Sequence, residues 1–227
     1  MRLLPTRALV TMLPCFLLFS GNVLANTINI GDTNVAPDVF TDPGSNVTVL
    51  GDLTGTFDLG NGITGTWEDV VVVDPFHTFC PTCLAFAFQV SLDPTAGGSI
   101  FALTDGSFGN FAADAGYLDQ GFWTPTLLSR GGGITFNLIH NGGTPSATAL
   151  GPGGTTDFLV IATNATNFNT NGVLNLPNFV FSTGSNGPVG HISGLFEPSA
   201  ATPEPSPSAL IALGFAAMAA LRKRVLR

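Results

Sequence analysis

Lysine is missing from the long middle of this chain. Between Asn26 and Ala201 there is no lysine and no methionine, and Arg130 is the single arginine. Fourteen of the fifteen acidic residues fall in the same stretch, which gives it a formal charge of −13. A surface of that sign repels a phosphate backbone. Nucleic acid is therefore excluded as a partner, and divalent cations or neutral glycans are left. Charged residues make up 10% of the 227, against roughly 25% in an average soluble protein. Cysteine is scarce too, with Cys15, Cys80 and Cys83 alone. No phosphate-binding glycine loop, nucleophile elbow or metalloprotease helix motif is written anywhere.

What the chain does contain is 28 glycines, 16 prolines and 19 phenylalanines. That mixture favours short strands and frequent turns over helices. Strand patterns recur between clusters of Gly, Asn, Asp and Pro. They are read at Asn46–Leu50, Leu53–Leu59, Ile63–Val73, Leu84–Leu92, Ser99–Leu103, Phe122–Leu128, Ile134–Ile139, Phe158–Thr163, Phe179–Ser182 and His191–Phe196. The clearest is LAFAFQVSL, Leu84–Leu92, in which Leu84, Phe86, Phe88, Val90 and Leu92 share one face. About ten strands without crossover helices predict an all-β, antiparallel β-sandwich or jelly-roll-like domain over residues 26–197.

The two ends read as addresses. Arg2 and Arg7 precede an apolar stretch, Ala8–Phe19, and then Val23-Leu24-Ala25. This is the layout of a signal peptide over residues 1–25, forming an N-terminal helix and cut between Ala25 and Asn26. Cys15 leaves with it. At the other end a Pro/Ser/Ala linker, residues 198–208, carries Pro203-Glu204-Pro205. A short apolar helix and basic tail follow over residues 209–227. Sixteen uncharged residues, Ser206–Leu221, rise about 24 Å as a helix, against a hydrocarbon core about 30 Å thick. Arg222, Lys223, Arg224 and Arg227 then form a cluster that stays cytoplasmic. The exported domain lies on the opposite side.

Taken together, Pro203-Glu204-Pro205, the short apolar helix and the terminal Arg-rich cluster resemble the PEP-CTERM sorting signal of exported bacterial proteins. The resemblance covers about the last 25 residues and is strengthened by the signal peptide. It implies recognition and cleavage by an exosortase-like membrane transpeptidase in bacteria that make exopolysaccharide. The expected course is transient anchoring in the inner membrane, then release to the cell surface or extracellular matrix of a Gram-negative-type cell. A second, softer resemblance joins Asp74-Pro75-Phe76, Leu84–Ser91 and Gly109-Asn110-Phe111 with Asp114–Tyr117. It is similar to a β domain of some PEP-CTERM proteins and brings no activity with it.

Few constellations carry chemistry. In an oxidising compartment Cys80 and Cys83 default to a disulfide, one that fixes the turn before Leu84. A redox pair or a metal site with His77 are the alternatives. The first lacks a helix at Cys80 and the second a completing cluster. Asp32, Asp38 and Asp42 could offer calcium its oxygens, the one cofactor kept open, but turns and caps are the favoured reading. Glu68 and Asp69 are adjacent on a strand and so face opposite ways, which bars them from acting as a glycosidase pair. Glu197 sits close to the linker, and His77, His140 and His191 are isolated. Trp67, Trp123 and Tyr117 could stack on sugars, yet each has a core setting. The sequence is thus read as a non-enzymatic, surface- or exopolysaccharide-associated structural or adhesive protein. The alternative is a secreted glycan-binding or glycan-active module.

Overall fold

The computed structural model describes residues 27–41, 47–60, 62–120, 122–138, 149–181 and 190–200. Eleven strands account for the regular structure of those residues. They are β1 (Asp38–Phe40), β2 (Val49–Asp58), β3 (Thr64–Val73), β4 (Leu84–Leu92), β5 (Gly98–Asp105) and β6 (Ala113–Leu118). β7 (Leu127–Arg130), β8 (Ile134–Asn137), β9 (Phe158–Thr163), β10 (Asn167–Phe181) and β11 (Gly190–Ser199) follow. There is no helix among the described residues, and none long and apolar enough to cross a membrane. The expected signal-peptide and C-terminal helices lie outside the described residues.

The strands form a six-stranded sheet, in the order β1-β6-β9-β4-β3-β2, and a five-stranded sheet, β11-β10-β5-β8-β7. All pairings but one are antiparallel, as the sequence predicts. The exception corrects that expectation: β1 lies parallel to β6, with Asp38 opposite Gly116 and Phe40 opposite Leu118. Gly116 admits the pairing: a Cβ there would sit 2.0 Å from the carbonyl oxygen of Asp38. Only a residue without a side chain lets β1 come this close.

One apolar cluster draws on both sheets. β4 supplies its centre: Leu84, Phe86, Phe88, Val90 and Leu92 are all 3% exposed or less. Phe88 meets Phe136 of the opposite sheet edge to face, with ring centroids 5.5 Å apart, and Phe86 meets Phe108 at 5.2 Å. Each such fully buried side chain contributes about 1.5–3 kcal/mol. Trp67, Tyr117 and Trp123 are half-buried and pack against the same cluster, so the core setting read for them holds.

Ile28 is buried and bridges Ala113, so the described residues nearest the expected cleavage point already belong to the fold. β11 runs on through Ser199, two residues into the stretch read as linker. Arg130 holds the first segment in place. Its guanidinium donates to the carbonyl oxygens of Ile28 (2.6 Å), Phe108 (3.2 Å) and Phe111. Burial lowers its pKa, partly countered by Asp32. The sole basic side chain read in the body is thus an interior clamp, 4% exposed.

Candidate functional site

The outward face of the six-stranded sheet divides into two halves, and cross-strand register shows how. Toward one end, Val72, Ala85, Ala87, Val160, Ala162 and Leu118 form a small apolar cluster with Phe40. The loop from Asp74 to Cys83 folds over it, and Phe76 stacks on Phe40 with ring centroids 4.6 Å apart. Asp74 organises that loop. Its buried carboxylate accepts from the backbone N–H of Phe76 (2.9 Å) and of Thr78 (2.7 Å). Its own N–H donates to the Cys83 carbonyl at 2.8 Å. Cys80 and Cys83 are joined as a disulfide with Cα atoms 5.1 Å apart, so the pairing expected from the sequence is present. It closes the turn from which β4 starts. His77 stands at the tip, exposed and with φ at 52°.

The other half is polar. Thr56 on β2 pairs with Thr66 on β3, Thr66 with Ser91 on β4, and Ser91 with Thr155. Four hydroxyls thus stand in one row across the sheet, and those of Ser91 and Thr155 lie 2.9 Å apart. The neighbouring row on the same face is Thr54, Glu68 and Gln89. Gln89 is oriented by donating its side-chain N–H to the Thr156 carbonyl at 2.8 Å. A groove of about 360 Å³ opens along these rows. Adjacent strands are about 4.8 Å apart, so the hydroxyl row spans roughly 14 Å. Beyond it Thr64 donates to the Asp93 carboxylate at 2.5 Å. Trp67 does not line this surface with its ring, which lies against Gly55 on the inward face.

Glu68 and Asp69 do face opposite ways. Glu68 lines the groove, whereas Asp69 is 2% exposed between the sheets and accepts from the Phe196 N–H at 2.5 Å. Burial pushes its pKa up to about 7, against the opposing effect of that hydrogen bond. Asp105 from the other sheet is equally buried and accepts from the Ser107 N–H at 3.1 Å. Burial is the main cause of its rise to about 8, and the nearby Asp69 and Glu197 add to it. These two interior carboxyls escaped the sequence reading as a pair, because nothing local signals that Asp69 of β3 and Asp105 of β5 come near enough to influence one another. At 2% exposure each, neither is within reach of a large substrate.

A third raised carboxyl is Asp114, fully buried on the outward side of β6. Burial lifts it to about 7, and Asp38 and Asp74 add to the rise. The calcium candidates disperse: the Asp32 carboxylate accepts from the Asn29 N–H at 2.7 Å in a turn, Asp38 belongs to β1, and Asp42 is outside the described residues. Among the described residues no three His, Cys, Asp or Glu side chains gather to hold a metal ion. Ala25, Asn26, Pro203, Glu204, Pro205, Arg222, Lys223, Arg224, Arg227 and His140 also lie outside them.

No family model, no curated protein and no solved structure matches the chain. The functional reading therefore rests on the residues themselves.

Proposed function

We propose that this is an exported, non-catalytic protein of the cell surface or exopolysaccharide matrix, delivered by its two ends and adhesive through its body. The observation that carries the reading is the polar half of the sheet face. Hydroxyls, an amide and one carboxylate line a groove there on a domain whose sole buried arginine leaves its middle stretch strongly acidic. Such a face suits a partner rich in neutral hydroxyl groups. The disulfide fits an oxidising compartment outside the cytoplasm.

Delivery follows from the sequence of the ends. The described residues of the domain run from Thr27 to Ala200, between the two segments read as addresses. Three residues separate Ser199 from Pro203, four steps or at most about 14 Å of extended chain. An exosortase-like enzyme would therefore cut close beneath the domain, while residues 209–227 hold it at the membrane. Replacing Pro203, Glu204 and Pro205 with alanine is expected to leave the full-length protein in the membrane fraction. Undiminished release of that variant would count against the reading. The second reading, a glycan-active module, draws its support from the same groove, and measurable turnover of a polysaccharide would favour it.

A further inference from the structure

We infer that the groove across β2, β3 and β4 is a binding site for an extended neutral polysaccharide, with the cross-strand pair Glu68–Gln89 as its recognition centre. The inference rests on the adhesive reading above and names its ligand and its site. Three features point there. The first is the arrangement of donors and acceptors. The row Thr56–Thr66–Ser91–Thr155 and the row Thr54–Glu68–Gln89 run across the strands, so the groups repeat at about 4.8 Å in one direction. A chain of sugar rings laid across the strands meets a hydroxyl or amide at each step.

The second feature is charge. The lining holds one carboxylate, Glu68, among four hydroxyls and an amide, with Gly55 and Trp67 at the inward-facing positions between them. A carboxylate accepts from two neighbouring hydroxyls of a sugar, and the hydroxyl rows both donate and accept. An acidic polysaccharide would meet Glu68 in a strongly acidic domain whose Arg130 is buried, so it is repelled. A basic protein partner would find one carboxylate in the groove itself, its other charge contacts, Asp52 and Asp58, standing beyond Thr54 and Thr56 at the margins. The third feature is order. Gln89 is held by Thr156, and Ser91 by Thr155, so two of the groups are already oriented before a ligand arrives.

The test is affinity electrophoresis of the full-length chain in detergent through gels containing dextran, hydroxyethylcellulose or alginate. The wild type is expected to be slowed by at least one of the two neutral polymers and not by alginate, with retention unchanged in 0.5 M salt. Glu68→Ala and Gln89→Ala should each weaken that retention by about tenfold. Thr135→Val, which alters a hydroxyl on the outward face of the other sheet, should not change it. Each variant is checked by its melting temperature, so that a loss of fold is not read as a loss of binding. Retention of both groove variants at the wild-type level would overturn the site while leaving adhesion standing. A wild type slowed by none of the polymers would overturn adhesion as well. Preference for alginate would overturn the ligand class.

Discussion

Raising the pH should destabilise this domain, and the cause sits between its sheets. Asp69 and Asp105 have pKa values raised to about 7 and about 8 by burial, whereas an unfolded aspartate titrates near 3.8. The folded state therefore holds protons that the unfolded state has released across this window. Stability is fully present below pH about 4, falls as pH rises between about 4 and 8, and levels above that. A pKa unit is worth about 1.4 kcal/mol. For Asp69 alone the loss across the window is then on the order of 4 kcal/mol, a large fraction of the 5–15 kcal/mol by which a domain is typically stable. Asp69→Asn keeps an oxygen to accept from the Phe196 N–H and removes the charge. At pH 8.5 that variant should gain about 2–4 kcal/mol, or roughly 5–10 °C in Tm. At pH 4 it should differ little from the wild type. Thermal and urea unfolding of both proteins at pH 4, 6, 7 and 8.5 measure this. A wild-type stability that is flat or rising from pH 5 to 8.5 would refute the reasoning. So would a variant whose gain is the same at every pH.

The buried arginine and the parallel edge make further expectations. Arg130→Met should cost about 3 kcal/mol, because the carbonyls of Ile28, Phe108 and Phe111 lose their donor; denaturant titration reads this. In the folded wild type trypsin should spare the stretch 26–201, whose one cleavable side chain is buried, and rapid native cleavage at Arg130 would contradict the clamp. Gly116→Ala places a Cβ 2.0 Å from the Asp38 oxygen and should cost about 1–3 kcal/mol. Amide exchange at Asp38–Phe40 should rise in that variant before it rises in β9, and protection left unchanged would contradict the reason given for the glycine.

Much of the fold could be read where the apolar pattern was unbroken. Leu84–Leu92 and Phe158–Thr163 are strands with the bounds expected: in the first one apolar face fixes period and ends, and in the second a short apolar run, buried on both faces, is bounded by polar residues. Asn46–Leu50 and Leu53–Leu59 read as two strands because Gly51-Asp52 looks like a turn. In the structure a single strand, β2, joins Val49 to Asp58 and absorbs the irregularity as a register shift between Val49 and Gly51. The first half of β10 was missed because Asn167–Gly172 is polar and glycine-bearing. It is a strand because β11 pairs with it, and further along β10 is paired on both sides. β6 was missed for a similar reason: Ala113, Asp114, Ala115 and Gly116 carry little strand propensity, and small residues are there to admit β1. Phe122–Leu128 shrank to Leu127–Arg130, with Asp157 holding the preceding loop by accepting from the N–H groups of Gln120 and Phe122.

The groove was legible only in fragments. The sequence writes Thr-Gly-Thr twice, at Thr54–Thr56 and Thr64–Thr66, and that repetition was the available signal. What it does not write is register. Thr66 opposite Ser91, and Glu68 opposite Gln89, depend on how the β3–β4 pair closes across the Asp74–Cys83 loop. Likewise the disulfide followed from compartment and spacing, while the Phe40–Phe76 stack beside it required the tertiary fold.

The account depends most on the two ends acting as removable addresses around an exported domain. The intact mass of the protein recovered outside the cell tests this in one spectrum. The expected mass is that of a chain starting at Asn26, ending near Pro203–Pro205, and two hydrogens lighter for the Cys80–Cys83 bond. A mass that still includes Met1 or Arg227, or a protein found only inside the cell, would contradict it.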